Sequence, residues 1–393
     1  MLTPYDELPV HQSPYPFSVV PITDYSFDDG YYFGVFSAEE EVFLFQGLRV
    51  NPNNDMVGGY AGLMIGGRQY TVRFKRPWRP QFDTRVGPYS FRVVEPFTEI
   101  RLTLAANDSA LTFDVTWWAT APAFEEAHHL ATTRGRRTTD QTRYSQSGTA
   151  EGWIEFDGRR IEVTRDRWWG SRDHSWGLYQ ERAPMAPAVR FVRPKERPAV
   201  RRALRFWTVF SSPDVSGFYG LHEGDRGERI ELNDVFGTPF EGALHRGPDG
   251  PSIELVAAEH AVTLVSGTTR FQRATVKLTD ADGGIWTQEL EDVGTPWWPH
   301  TIGYGAGSWK DGGSMASYPG TDDVVVEWDD FDFSVQPFEH TTYDGRQVKG
   351  GAPHAEHLAR TTTTTPDGTV SVGAGQVEFF LDPPYLPYGL NTR

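Results

Sequence analysis

The sequence predicts an all-β protein made of two antiparallel barrel or sandwich domains in tandem, with few short helices. Three observations carry that expectation. Long stretches with the 3.6-residue period of an amphipathic helix are almost absent. Short runs rich in Val, Ile, Thr, Phe, Tyr and Trp recur instead, punctuated by Gly, Pro, Asn and Asp. About twenty such runs fit into 393 residues, too many for one small sandwich.

The runs alternate between apolar and polar positions, as half-buried strands do. Residues 41–50 (EVFLFQGLRV), 69–74 (QYTVRF), 111–118 (LTFDVTWW) and 270–278 (RFQRATVKL) all show this pattern. Residues 152–156 and 160–164 form a hairpin about Asp157-Gly158, a dipeptide that accepts the positive φ of a two-residue turn. The Gly-rich stretch 62–67 (GLMIGG) reads as another hairpin turn. Like the Gly-rich 303–307, it neither opens a helix nor carries the Lys of a phosphate-binding loop. Helix signals are confined to residues 124–130 and 197–204. The Thr run 361–365 before Pro366-Asp367-Gly368 ends a strand in a turn. Residues 181–205 hold four prolines and eight Arg or Lys within an otherwise acidic chain. They divide an N-terminal domain, 1–180, from a C-terminal one, 206–393, as a crossover linker.

Composition removes whole classes of chemistry. With no cysteine there is no disulfide framework, thiolate nucleophile or Cys-ligated metal. A net charge of −16 and a pI near 5.1 argue against a general nucleic-acid binder. No apolar run is long enough for a spanning helix. Residues 1–20 carry Asp6, Glu7 and several prolines rather than a signal peptide, so a cytoplasmic location is expected. No Gly-x-Ser-x-Gly elbow occurs, and neither Ser145 nor Ser175 has a triad frame. His354 and His357 in PHAEH lack metal-site spacing, because a strand would set His354 and Glu356 on one face and His357 on the other. No metal is expected, and nucleotide cofactors are disfavoured.

The densest functional string is residues 165–179, RDRWWGSRDHSWGLY, directly after the hairpin. On a strand Asp173 and His174 face opposite sides, while Arg172, His174 and Trp176 share one. An imidazole beside an indole in a desolvated pocket suits proton transfer near neutral pH. Arg172 could orient a carboxylate or stabilise developing negative charge. The same residues would equally serve as a buried polar knot. A second cluster, residues 295–304 (TPWWPHTIGY), places Trp297, Trp298, His300 and Tyr304 between prolines and glycines. It suits either a pocket wall for a flat apolar ligand or plain core.

Arg143-Tyr144-Ser145-Gln146-Ser147-Gly148, Gly152-Trp153-Ile154 with Asp157-Gly158, and Gly170-Ser171-Arg172-Asp173-His174-Ser175-Trp176-Gly177 form a specific combination. It resembles the carotenoid 1,2-hydratase (hydroxyneurosporene synthase) superfamily, a lipocalin-like group that includes AttH-like proteins. Certain fungal intramolecular Diels–Alder cyclases are relatives by fold. The resemblance is carried by residues 143–179. It implies two lipocalin-like β domains, a hydrophobic pocket between them and no organic cofactor. It further implies roles in activity for His174 and Trp176. In the hydratases a Tyr and an Asp two residues apart on a following strand supply the proton. The corresponding strand here, residues 206–210 (FWTVF), has Trp207 and no acid. The proton donor then has to be Asp173, His174 or a group from the second domain.

Two functions follow. One is a cofactor-independent lyase, hydratase, isomerase or cyclase acting on a hydrophobic terpenoid, steroid or aromatic molecule. In that reading His174 is the acid or base, Asp173 orients it and Arg172 holds a polar substituent. Trp168, Trp169, Trp176, Trp207, Trp297, Trp298, His300 and Tyr304 line the substrate, and replacing His174 abolishes turnover. The alternative is a non-catalytic lipocalin-like carrier of a hydrophobic small molecule. Either is compatible with a homodimer.

Overall fold

The fold is taken from a computed structural model. It describes residues 2–7, 9, 11, 13–79, 82–133, 135–179, 201–230, 238–299, 302–334, 339–343, 345, 347–349 and 355–391. His300, His354 and residues 181–200 of the expected linker lie outside the described residues.

The first strands are β1 (Phe27–Ser37), β2 (Val42–Asn51), β3 (Met56–Ile65) and β4 (Arg68–Pro77). Next come β5 (Arg85–Val86), β6 (Tyr89–Glu95), β7 (Glu99–Leu104) and β8 (Leu111–Ala119). The short β9 (Phe124–Glu125) and β10 (His129–Thr133) precede β11 (Arg136–Phe156), β12 (Arg159–Val163) and β13 (Trp169–Tyr179). The second half contains β14 (Leu204–Ser211), β15 (Ser216–Glu223), β16 (Phe240–His245), β17 (Ser252–Leu264), β18 (Phe271–Asp280) and β19 (Ile285–Asp292). It ends with β20 (Val325–Asp332), β21 (Glu339–Thr341), β22 (Gln347–Lys349), β23 (Glu356–Thr364) and β24 (Val370–Leu381).

All sheet pairings are antiparallel. One sheet runs in the order β20-β4-β3-β2-β1-β13-β11-β8-β7-β6-β5, with β9, β10 and β12 also paired to β11. The other, β14-β15-β16-β17-β18-β19-β23-β24, closes on itself as an eight-stranded barrel. That closure removes the free edges an open sheet would expose, and eight strands enclose a space that side chains can fill. The protein is therefore all-β, with two lipocalin-like halves. The second half is not contiguous in sequence: Val325–Asp332 leaves the barrel and pairs with β4 at the edge of the first sheet.

The alternation read from the sequence explains the layers. Phe33, Val35, Leu44, Leu48, Phe113, Val115 and Trp117 point into the core enclosed by the first sheet. Their neighbours Tyr32, Phe36, Phe43, Phe45 and Tyr60 point the other way and pack with Trp297, Trp298, Leu358 and Ala374 between sheet and barrel. The central strands are thus covered on both faces, so β2 is buried along almost its whole length. Glycines permit one close approach. A Cβ at either Gly148 or Gly170 would collide with the Trp117 ring, which fills the centre of the sheet's inner core. The Asp157-Gly158 hairpin forms as the sequence predicts, with Gly152 opposite Val163 and both turn residues at positive φ (51° and 75°).

The helix expected over residues 124–130 does not form. Phe124 and Glu125 pair with Ser145 and Tyr144 of β11, and the Phe124 ring packs 5.0 Å from Phe218 of the barrel. Tertiary pairing overrides a weak local preference there. Of the other expected helix, residues 197–200 lie outside the described residues and Leu204 starts β14.

Candidate active site

Strand β13 stands at the middle of the first sheet, between β1 and β11. Its register sets Asp173 opposite Tyr32 and Ser145, and His174 opposite Tyr31 and Tyr144. Adjacent residues on a strand face opposite sides, so Asp173 looks toward the barrel and His174 into the first sheet's own interior. Asp173 therefore does not orient His174, which corrects that part of the expected constellation. The partner is Asp29 of β1, whose Oδ1 lies 2.8 Å from His174 Nε2. The imidazole stacks on Tyr31 at 3.9 Å between centroids and lies 5.0 Å from the Trp176 ring.

A cleft of about 290 Å³ opens between sheet and barrel. The sheet contributes Tyr32, Arg49, Tyr60, Arg143 and Asp173. The barrel contributes Arg205, Glu356, Gln376 and Glu378 from its outer wall, and the segment after β19 adds Trp297, Ile302 and Tyr304. The lining mixes aromatic surface with titratable groups, which is more polar than a purely hydrophobic pocket.

The barrel side is an acid cluster. On β23 and β24 the apolar residues Ala359, Val377 and Phe379 point into the barrel, so Glu356, Gln376 and Glu378 point out. Gln376 joins the two halves: its Nε2 donates to Glu356 Oε2 at 2.9 Å and its Oε1 accepts from Ser171 Oγ at 2.5 Å. Reciprocal backbone bonds to Trp297, at 3.0 and 2.8 Å, fix the Glu356 main chain. Glu378 accepts a hydrogen bond from Arg205 Nε. Burial, and then the neighbouring Glu378, push the Glu356 carboxyl well above the usual carboxylate range. Two carboxyl groups sharing a desolvated site cannot both ionise cheaply, which favours the protonated form of Glu356. Burial likewise raises the Tyr32 phenol, keeping it a donor.

The sheet side offers hydrogen-bond donors. The Tyr60 and Tyr304 hydroxyls lie 3.2 Å apart, and the Arg49 guanidinium sits 4.9 Å from the Tyr304 ring centroid. Arg49 is paired with buried Asp28. Burial raises the Tyr60 phenol, and the nearby Tyr304 raises it further. For Arg143, burial opposes the charge, but Asp173, Glu126 and Glu378 outweigh it.

The remaining expected site residues scatter. Trp297 forms a wall of the cleft, stacked on Phe45 at 4.2 Å, and Tyr304 lines it too. Trp298 lies behind, packed on Phe333 at 4.6 Å with its backbone N–H held by Gln69. Trp169 packs at the edge of the layer between sheet and barrel. Trp168 belongs to the inner core of the first sheet, and Trp207 packs against Phe218 on the barrel wall; neither reaches the cleft. Trp176 is 38% exposed beside His174. Arg172 is buried on the His174 side, its Nε donating to Gln146 Oε1 at 2.8 Å. His357 points away from Glu356 and meets Asp292 at 2.9 Å.

Sequence reasoning missed Glu378, Gln376, Tyr32, Tyr60 and Arg49, and treated Glu356 only as a poor metal ligand. A usable signal was present: Gln376 and Glu378 occupy alternate positions among the apolar residues that end their strand, where buried polar groups need a reason to be.

A model of a family described as "Family of unknown function (DUF8625)" matches residues 2–340. No curated protein matches the chain. Among solved structures, that of CghA with Sch210972 is similar at a TM-score of 0.50. It is 8% identical and covers 91% of this chain and 88% of that one. Kievitone hydratase from Nectria haematococca is 10% identical at a TM-score of 0.40, covering 90% and 89%. The likeness to CghA shows a related fold.

Proposed function

Since the chain belongs to the family of unknown function DUF8625, we propose its activity from the cleft itself: cofactor-independent acid–base catalysis on an oxygenated, largely apolar small molecule. The observation that carries this reading is Glu356, a buried carboxyl group beside Glu378 whose proton is held more tightly than usual, inside a cleft whose other wall presents phenols. Glu356 is the general acid, and its place in the second half answers the missing acid on residues 206–210. Tyr60 and Tyr304 hold a substrate oxygen by hydrogen bonds, and Asp173 on the sheet side is the proton acceptor.

Protonation of an alkene by Glu356 leaves positive charge on the adjacent carbon. Attack there by water, with a proton passing to Asp173, adds water across the double bond. Loss of a neighbouring C–H proton to Asp173 instead moves the double bond. Trp297 in the cleft wall shelters such a cation, an attraction of roughly 0.5–2 kcal/mol for a well-placed ring. A lyase or isomerase activity on a terpenoid, steroid or aromatic substrate follows.

The test is to incubate the protein in heavy water with unsaturated ketones, terpenoid alcohols and prenylated phenols, following deuterium uptake by NMR. At least one class should exchange or turn over, and Glu356→Gln should silence it. Turnover that survives Glu356→Gln unchanged would refute the assignment.

A further inference from the structure

A second pocket lies on the opposite face of β13 from the cleft, in the mouth of the curled first sheet. Its volume is about 150 Å³, and Tyr31, Phe91, Phe97, Tyr144, Arg172 and His174 are among its walls. A cavity of roughly that size can hold a benzene ring.

Arg172 is the unusual wall. It is only 3% exposed, yet no carboxylate among the described residues pairs with it. Its Nε is held by Gln146 and the Tyr144 hydroxyl is a further hydrogen-bond partner of the guanidinium, while Nη2 is buried without a hydrogen-bond partner among the described residues. The rings of Tyr144 and Trp117 flank the guanidinium at 5.0 and 5.3 Å. A buried cation facing rings with donors to spare is costly unless something anionic completes it.

The surroundings hold this arrangement in place. The Gln146 side chain, which fixes Arg172, also donates to the carbonyl oxygens of Phe97 and Ala121, both at 2.8 Å. Phe97 is thereby kept at φ 59°, a left-handed conformation that costs a bulky residue on the order of 1–3 kcal/mol. Phe97 is 54% exposed, and its ring lies at the pocket 5.5 Å from Tyr144. Strain of this kind concentrates at ligand clamps. His174 Nε2 is engaged by Asp29, so the imidazole serves as a wall.

We propose that this inner pocket binds a small monocyclic aromatic carboxylate, with its ring among Tyr31, Phe91 and Phe97 and its carboxylate on Arg172. A planar carboxylate matches the guanidinium fork, and its ring replaces water against apolar walls. The site is separate from the cleft and does not depend on the activity proposed there.

Calorimetric titration of the full chain with benzoate tests the inference. Benzoate should bind saturably, and benzyl alcohol, of similar shape but neutral, at least about tenfold more weakly. Arg172→Lys, which keeps the charge but loses the fork, should weaken benzoate binding about tenfold. Crystals soaked in benzoate should show the ring beside Phe91 and Phe97, which decides the matter even if the variant fails to fold. No saturable binding, equal binding of benzyl alcohol, an unchanged Arg172→Lys, or benzoate located only in the central cleft would each overturn it.

Discussion

The two faces of β13 carry the same signature string to different ends. On one, Asp173 joins Glu356, Glu378, Arg143 and Tyr32 in a cleft between sheet and barrel. On the other, Arg172 and His174 sit among Tyr31, Tyr144 and Phe97 inside the first sheet. The cleft face gathers carboxyl groups, arginines and phenols. The inner face gathers rings around one cation and one Asp–His pair. Chain proximity told nothing about which groups work together, because the pleat separates neighbours and pairing across strands brings strangers into contact.

That contrast can be broken most sharply at Glu356. Glu356→Gln should lower turnover by about 10²–10⁴-fold while leaving the fold intact, since an uncharged amide replaces an uncharged acid. Initial rates and a thermal melt together check this. His174→Ala should show the opposite balance. It removes the Tyr31 stack and the Asp29 bond at a cost of about 2 kcal/mol, and it should change cleft turnover only a few-fold. This reverses the sequence-based expectation that His174 is the essential acid or base. A His174→Ala variant that is stable but inactive would return the chemistry to the inner face.

A third test uses pH. Glu241 of β16 accepts a hydrogen bond from Ala127 N–H at 2.8 Å, and burial followed by the nearby Glu126 raises its carboxyl to about 7. From about pH 4.5 to 7 the native state keeps a proton that the unfolded chain has released. Its contribution is whole below that window and is lost as pH rises through it, by about 1–2 kcal/mol after allowing for partial solvent screening. Glu241→Gln should flatten this slope and raise the melting temperature at pH 8, measured by calorimetry across that range. The smallest expected effect is a control far from both faces. Gly158→Ala keeps the hairpin free of clashes but places a side chain at φ 75°, costing about 1 kcal/mol in denaturant unfolding without altering either pocket.

The strands were legible because their signal is local: alternation along 41–50, 69–74 and 111–118, and an Asp-Gly turn at 157–158, need no distant partner. The opposite facing of Asp173 and His174 was legible for the same reason. Residue 124 was not, since a Phe in a weakly helical stretch gives no hint that a barrel residue, Phe218, will capture it. The cleft was readable only in part. Trp297 and Tyr304 stood out as aromatics between prolines and glycines, and a donor from the second half was one of the options left by the missing acid. Asp29 and Tyr60 could not be foreseen, because their roles arise from pairing between strands remote in sequence.

The most direct test of the account is the protonation state of Glu356, read by infrared difference spectroscopy between the wild type and Glu356→Gln with carbon-13-labelled glutamate. The wild type should show, at pH 7, a protonated carboxyl C=O band that shifts with the label and is missing from the variant. If only ionised carboxylate bands differ between the two at pH 7, Glu356 is not the proton donor and the proposed chemistry of the cleft fails.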